Sequence, residues 1–259
     1  MKTPVFYTAA APYIAPPALK DTLKGLWEFV RRPRLLKREQ NVLEVKLPLI
    51  FQLAFILLLL QVGLFIAIAL LGNLLGLQVL NANIAGYIFS QSSFVPLFAT
   101  LVLLAPVTEE LIFRLPLIYS RTFILVALLT FLLSLGPVVA LALNIPLVPY
   151  AMGAILLLGL ASWLLTHRKH KLRVHLLWER HFGLVFYTFT VLFALLHFTS
   201  PQSYALPQAL FLLLLLHKLV GGIFMGYTRL RLGMGWSVAL HMFHNLVVLL
   251  VLLGYWAGV

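Results

Sequence analysis

Pro106-Val107-Thr108-Glu109-Glu110-Leu111-Ile112-Phe113-Arg114 closes an apolar run that begins near residue 94. Two adjacent carboxylates and a guanidinium in a segment otherwise fit for hydrocarbon are costly. Such groups are tolerated where they face a bundle interior or a wet cavity, which makes them functional-site candidates by default. The rest of the chain reads as the wall around them.

Helix geometry separates the two glutamates. Neighbours i and i+1 point about 100° apart, while i and i+4 stack on one face. Glu110 therefore lies under Arg114 and pairs with it as a buried, structure-setting couple. Glu109 looks elsewhere and is left for the chemistry of the cavity.

Composition sets the class. Of 259 residues, 62% are hydrophobic and 10% charged, and several apolar runs approach twenty residues. This is the profile of a polytopic, all-α transmembrane helical bundle. No cysteine is present, which excludes disulfide frameworks, thiolate metal sites and cysteine nucleophiles. A net charge of +12 would suggest nucleic acid in a soluble protein, but here the cations sort by topology. Spans over 47–71, 94–113, 121–142, 147–166, 182–198, 207–227 and 234–256 give about seven crossings. The N-terminal tail, the turn at Arg121, the loop 167–181 and the turn with Arg229 and Arg231 then share one face. Loops 72–93 and 199–206 carry no Lys or Arg. The positive-inside rule makes the N-terminus cytoplasmic in an integral, multi-pass protein of the cell membrane.

The tail, residues 1–45, holds Pro4, Pro12, Pro16 and Pro17, and its apolar part is too short and broken for a signal peptide. Leu19, Leu23, Leu26, Trp27 and Val30 fall at helical spacing beside Lys20, Lys24, Arg31 and Arg32. That pattern predicts an amphipathic helix lying on the inner leaflet and ending at Pro33, with membrane lipids as its partner. Gln52 and Gln61 are the polar interruptions of the first span, which reads as an anchor. Loop 72–93 is uncharged and reads as partly embedded at the outer interface. Pro106 opens the backbone near the carboxylates because it has no amide to donate. Residues 143–181 form part of an extra hairpin followed by a basic cytoplasmic loop. The loop's His167, His170, His175 and His181 sit among cations that repel a metal ion, so it reads as facing lipid headgroups.

Three later spans carry polar groups. Phe193 and His197 share a face, as do His241 and Asn245, while His244 points off the latter. Gly222 and Gly226 allow close helix approach. Lys218, at mid-span beside His217, either snorkels, pairs or faces the cavity. Glu109, His197, His241 and Asn245, supported by Glu110 and Arg114, make an inventory for amide hydrolysis: a carboxylate to take a proton from water, imidazoles to share it, an amide N–H to hold an oxyanion. Two histidines and a glutamate are equally a ligand set for a divalent metal such as zinc, with the fourth position left to water.

Glu-Glu-x-x-x-Arg at Glu109, Glu110 and Arg114, Phe-x-x-x-His at Phe193 and His197, and His-x-x-x-Asn at His241 and Asn245 occur in that order. Together they resemble the CPBP family of type II CAAX prenyl endopeptidases and bacteriocin-processing or immunity proteins, over roughly residues 94–256 of a membrane domain 46–259. The resemblance implies an intramembrane endopeptidase, glutamic or metal-dependent, acting on a peptide or lipidated protein. In it Glu109 and His197 activate water, and His241 and Asn245 hold the oxyanion.

Leu115 stands where that family commonly has glycine, and the hairpin between the first two motifs is additional. The span boundaries also put Glu109 near the cytoplasmic side and His197 near the outer side, a mismatch on the order of 10 Å. Either the boundaries differ, or Pro106 and the loop after His197 bend chain into the bilayer. Two other function classes fit the same residues: a non-catalytic immunity or scaffold protein that binds peptide in the cavity, and a small transporter or proton pathway.

Overall fold

The computed structural model describes residues 16–76, 93–198 and 207–257. The outer-interface reading of loop 72–93 and the loop after His197 fall largely or wholly outside these residues, as do Pro4 and Pro12. Every element among the described residues is helical. Five helices are long and apolar enough to cross a membrane, or up to seven if each of two bent pairs is one crossing. This is the make-up of an integral membrane protein.

The order is α1 (Leu19–Arg31), a π-helical turn (Val42–Lys46) leading into α2 (Leu47–Leu74), then α3 (Phe94–Phe98). A second π stretch (Ala99–Leu104) joins α3 to α4 (Ala105–Phe113), followed by a 3-10 turn (Leu115–Leu117). Next come α5 (Arg121–Leu133), α6 (Leu135–Ala142), α7 (Leu147–Thr166), α8 (Arg168–Arg180), α9 (Phe182–Leu196), α10 (Gln208–Arg231) and α11 (Met234–Ala257). The third expected span is thus α5 and α6, bent by 45°. The basic loop 167–181 is largely the helix α8, set at 82° to α9.

α10 is the axis of the bundle, packed against α2, α9 and α11. Its glycines set the distances. A Cβ on Gly226 would lie 2.5 Å from Phe186 Cε2, and one on Gly222 would lie 3.0 Å from Thr190 Cγ2. Phe186 is fully buried and ringed by Phe29, Phe182 and Tyr187, so it has nowhere to retreat. Gly226→Ala is therefore expected to destabilise by about 1–3 kcal/mol through overpacking. Gly222→Ala should cost less, and Gly63→Ala, where nothing lies within 4 Å, should cost nothing. Thermal unfolding in detergent would check the order.

The N-terminal helix forms, but its apolar stripe is not a single lipid-facing face. Leu26 and Phe29 are buried, and Phe29 meets the rings of Phe186 at 4.9 Å and Tyr227 at 5.3 Å. Leu19, Leu23 and Trp27 remain exposed. Thr22 donates to Gln52 Oε1 at 2.5 Å, and Gln52 Nε2 donates to the Pro17 carbonyl at 2.7 Å. Tyr187 donates its hydroxyl proton to the Val30 carbonyl. The first span is thus more than an anchor: its two glutamines tie α1 and, through Gln61, α10 to the bundle.

Candidate functional site

The first site element is an irregular helix. In a π turn the carbonyl of residue i is offered to the amide of i+5, and Ala105 N–H does go to Thr100 O. The amide due to Leu101 O in that pattern would come from Pro106, which has none. Asn245 Nδ2 donates to this carbonyl at 2.8 Å. The proline thus leaves an acceptor open, and a carboxamide from α11 fills it.

Glu109 and Glu110 follow on α4. Glu110 is fully buried, and Arg114 Nε lies 3.5 Å from its Oε1. The guanidinium carbon sits 3.9 Å from the centroid of the Phe193 ring. Its two terminal nitrogens find no hydrogen-bond acceptor, so the aromatic face is the main partner of that end of the cation. Arg229 Nε in turn donates to the Arg114 carbonyl at 3.3 Å, satisfying the end of α4. Glu110 is held by more than Arg114. Ser237 Oγ approaches its Oε2 at 2.5 Å, and His241 Nδ1 lies 3.1 Å from its Oε1.

Because a carboxylate oxygen only accepts, the His241 contact places a proton on Nδ1 and turns Nε2 outward. That Nε2 is 3.6 Å from Glu109 Oε2. His241 therefore spans both glutamates. His197 approaches from the end of α9. The α9 backbone tightens there, with the His197 amide bonding Ala194 O instead of Phe193 O. His197 Nδ1 takes up the Phe193 carbonyl at 2.8 Å, which puts the proton on Nδ1 and leaves a lone pair on Nε2, 4.0 Å from Glu109 Oε2. Glu109 keeps 18% of its side chain accessible against 0% for Glu110. The geometry divides their roles: one carboxylate faces open space, the other is locked.

These groups line one cavity of about 260 Å³, far above the ~10–15 Å³ a single water needs. Glu109, His197, His241 and Asn245 all contribute to its wall. His244 also lines it, with Nδ1 3.2 Å from Asn245 Oδ1, so the expectation that His244 points away is corrected. The cavity is wider than one helix face and takes residues about 100° apart on α11. Gln61, His217 and Lys218 are further lining residues. Ser237 was missed at the sequence level, although its spacing of four from His241 could have found it.

The second span runs on through Leu117, so its boundary differs from the expected one, with Arg114 a buried member of the bundle. A Cβ on Gly222 would meet Thr190, Phe193 and Arg114 together, so these residues are level. From that level Glu109 rises about 7.5 Å along α4 and His197 about 6–10 Å along α9. The two side chains therefore meet at one level.

As to a metal, the two Nε2 atoms lie 3.6 and 4.0 Å from Glu109 Oε2, and no group of three or more His, Asp or Glu among the described residues is arranged as a ready metal cage. No protein-family model, curated protein or solved structure matches the chain.

Proposed function

We propose that this chain is a membrane-embedded endopeptidase, similar to the CPBP proteins, which hydrolyses a peptide bond of a membrane-associated or lipidated substrate. One observation carries the reading: a partly accessible carboxylate, Glu109, lies beside two imidazole Nε2 atoms in a single hydratable cavity inside a helical bundle.

Glu109 Oε2 and His197 Nε2 are both acceptors, separated by 4.0 Å. A gap of this kind suits one water that donates a proton to each. Such a water has its oxygen lone pairs free and pointed away from both acceptors. In the proposed reaction this oxygen attacks the scissile carbonyl carbon, and Glu109 receives the proton. Asn245 has one N–H occupied by Leu101 O and a second to offer to the oxyanion. His241 would be the other donor in its doubly protonated form, since Nδ1 already holds the proton shared with Glu110. When the tetrahedral intermediate collapses, the C–N bond breaks and the proton held by Glu109 passes to the leaving amine.

Should a divalent ion such as zinc be used, Glu109, His197 and His241 would be its holders, and the ion would supply an acidified water. His241, with Nδ1 against Glu110, has the outer-shell support such a ligand needs. In the proposed setting the N-terminus and the basic turns face the cytoplasm of a cell membrane, with Leu19, Leu23 and Trp27 of α1 in the headgroup region.

The test is cleavage of a quenched library of lipidated peptides by the purified protein in proteoliposomes, with His197→Ala alongside and a strong chelator in parallel. Cleavage by wild type that is lost in His197→Ala is expected. Persistence with chelator would assign a glutamic mechanism, and loss with restoration by zinc a metal-dependent one. Absence of cleavage by wild type would overturn the protease and leave a peptide-binding protein.

A further inference from the structure

The mechanism above leaves one half-buried cation unused. Lys218 lies in the middle of α10 and lines the cavity. All seven Asp and Glu of the chain lie among the described residues, and none comes within ion-pair distance of its ammonium. Glu109 acts on it only through longer-range electrostatics. An unpaired ammonium at membrane depth is expensive, so its retention calls for a partner that arrives from outside.

A second orphan lies beside it. Gln61 is 5% exposed and also lines the cavity. Its Nε2 donates to the His217 carbonyl at 3.1 Å, next in sequence to Lys218. Gly221 leaves room for this approach, since a Cβ there would stand 3.5 Å from Nε2. With the amide nitrogen so engaged, Oε1 is buried without any hydrogen-bond donor. The cavity therefore presents an unanswered positive charge on α10, and beside it on α2 lies an enclosed acceptor that has no donor. The remainder of the wall includes Leu101, Ala105, Val248, Leu249 and Leu252, which suits apolar side chains.

The geometry points to a carboxylate-binding subsite: Lys218 receives a carboxylate of the substrate peptide, supplied by a peptide end or by an acidic side chain. Arg114 answers Glu110, so no carboxylate of the chain is in contact with the Lys218 ammonium, and an incoming carboxylate would be its first direct partner. This subsite rests on the endopeptidase reading for its substrate class, but binding can be measured without cleavage.

The probes are fluorescent apolar hexapeptides built of α-methylated residues, which resist proteolysis and keep their amide N–H groups. One ends in a free carboxylate, one in a carboxamide, and one in a carboxamide with an internal Glu. Fluorescence anisotropy with wild type, Lys218→Met and Lys218→Arg in nanodiscs reads the affinities. Wild type is expected to bind at least one carboxylate-bearing probe about tenfold or more tightly than the neutral one. Which of the two is preferred identifies a C-terminal or a side-chain source. The preference should collapse below about twofold in Lys218→Met and recover in Lys218→Arg. Equal affinity of wild type for all three probes overturns the subsite, as does a preference that survives in folded Lys218→Met. The wild-type comparison stands even if the methionine variant does not fold. Selective binding without cleavage of the lipidated library would keep the subsite and remove the protease, and cleavage with no selectivity would do the reverse.

Discussion

Glu109→Ala is expected to lower peptide-bond cleavage at least about 1,000-fold while leaving the protein folded in the membrane. General-base assistance accounts for roughly 100- to 10,000-fold, and in the proposed mechanism the same carboxylate also positions the water, so the upper part of that range is expected. Folding should survive because Glu109 is the accessible member of the pair and lies in a cavity. Removing it opens space that water can occupy, with no packed neighbour left unsupported. Glu109→Gln is the sharper variant, since it keeps size and hydrogen bonding but takes no proton. Both should be inactive, with unfolding temperatures close to wild type. Activity above a tenth of wild type in either folded variant would remove Glu109 from the chemistry.

Glu110→Leu should do the opposite: unfold first, and lose activity as a consequence. Glu110 is fully buried and meets Arg114, Ser237 and His241. Without it, Arg114 becomes a buried cation with only the Phe193 and Phe113 rings to face. Stripping one partner from a buried pair costs about 3–5 kcal/mol. Replacing both partners by apolar residues is far milder, so Glu110→Leu with Arg114→Leu should recover much of the loss. Steric-trapping or denaturant titrations of the three proteins would measure this. A single variant within about 1 kcal/mol of wild type would show that the couple contributes little. The double variant should still cleave poorly, since His241 Nδ1 would have lost the acceptor that orients the ring.

The different characters of the two glutamates could be read from spacing, because i to i+4 on a helix is a fixed geometry that needs no knowledge of the partner elements. Periodicity and length likewise placed α7 at Leu147–Thr166, bounded by Pro146 and His167. What spacing could not supply was the number of partners around each helix. Assigning one polar face to α11 put His244 off the cavity, whereas α11 packs against α4, α10 and the π stretch together, and the cavity takes in both His241 and His244. His241 likewise reaches both glutamates because α11 lies across α4, which no single-helix projection contains. The second span was bounded at residue 113, although Arg114 was read as the buried partner of Glu110. Here an aromatic ring and a buried carboxylate let the helix carry that charge inward, so the second span runs on to Leu117. Gln61 was read as a mere interruption of an anchor, since its partner lies 156 residues away.

The irregular turn Ala99–Leu104 has a further consequence. Each residue added to a helix rotates everything beyond it by about 100°, so a wide turn acts as a phase shift between the two halves of one span. Ahead of it, Phe94 and Val95 are exposed; beyond it, Glu109 and Glu110 turn inward. Loss of one residue from this turn would shorten the span by only about 1.5 Å and leave every motif intact, yet would swing the carboxylates around the helix axis. A homologue or designed variant could therefore carry the complete set of site residues and still be assembled out of phase, with a site whose parts do not meet.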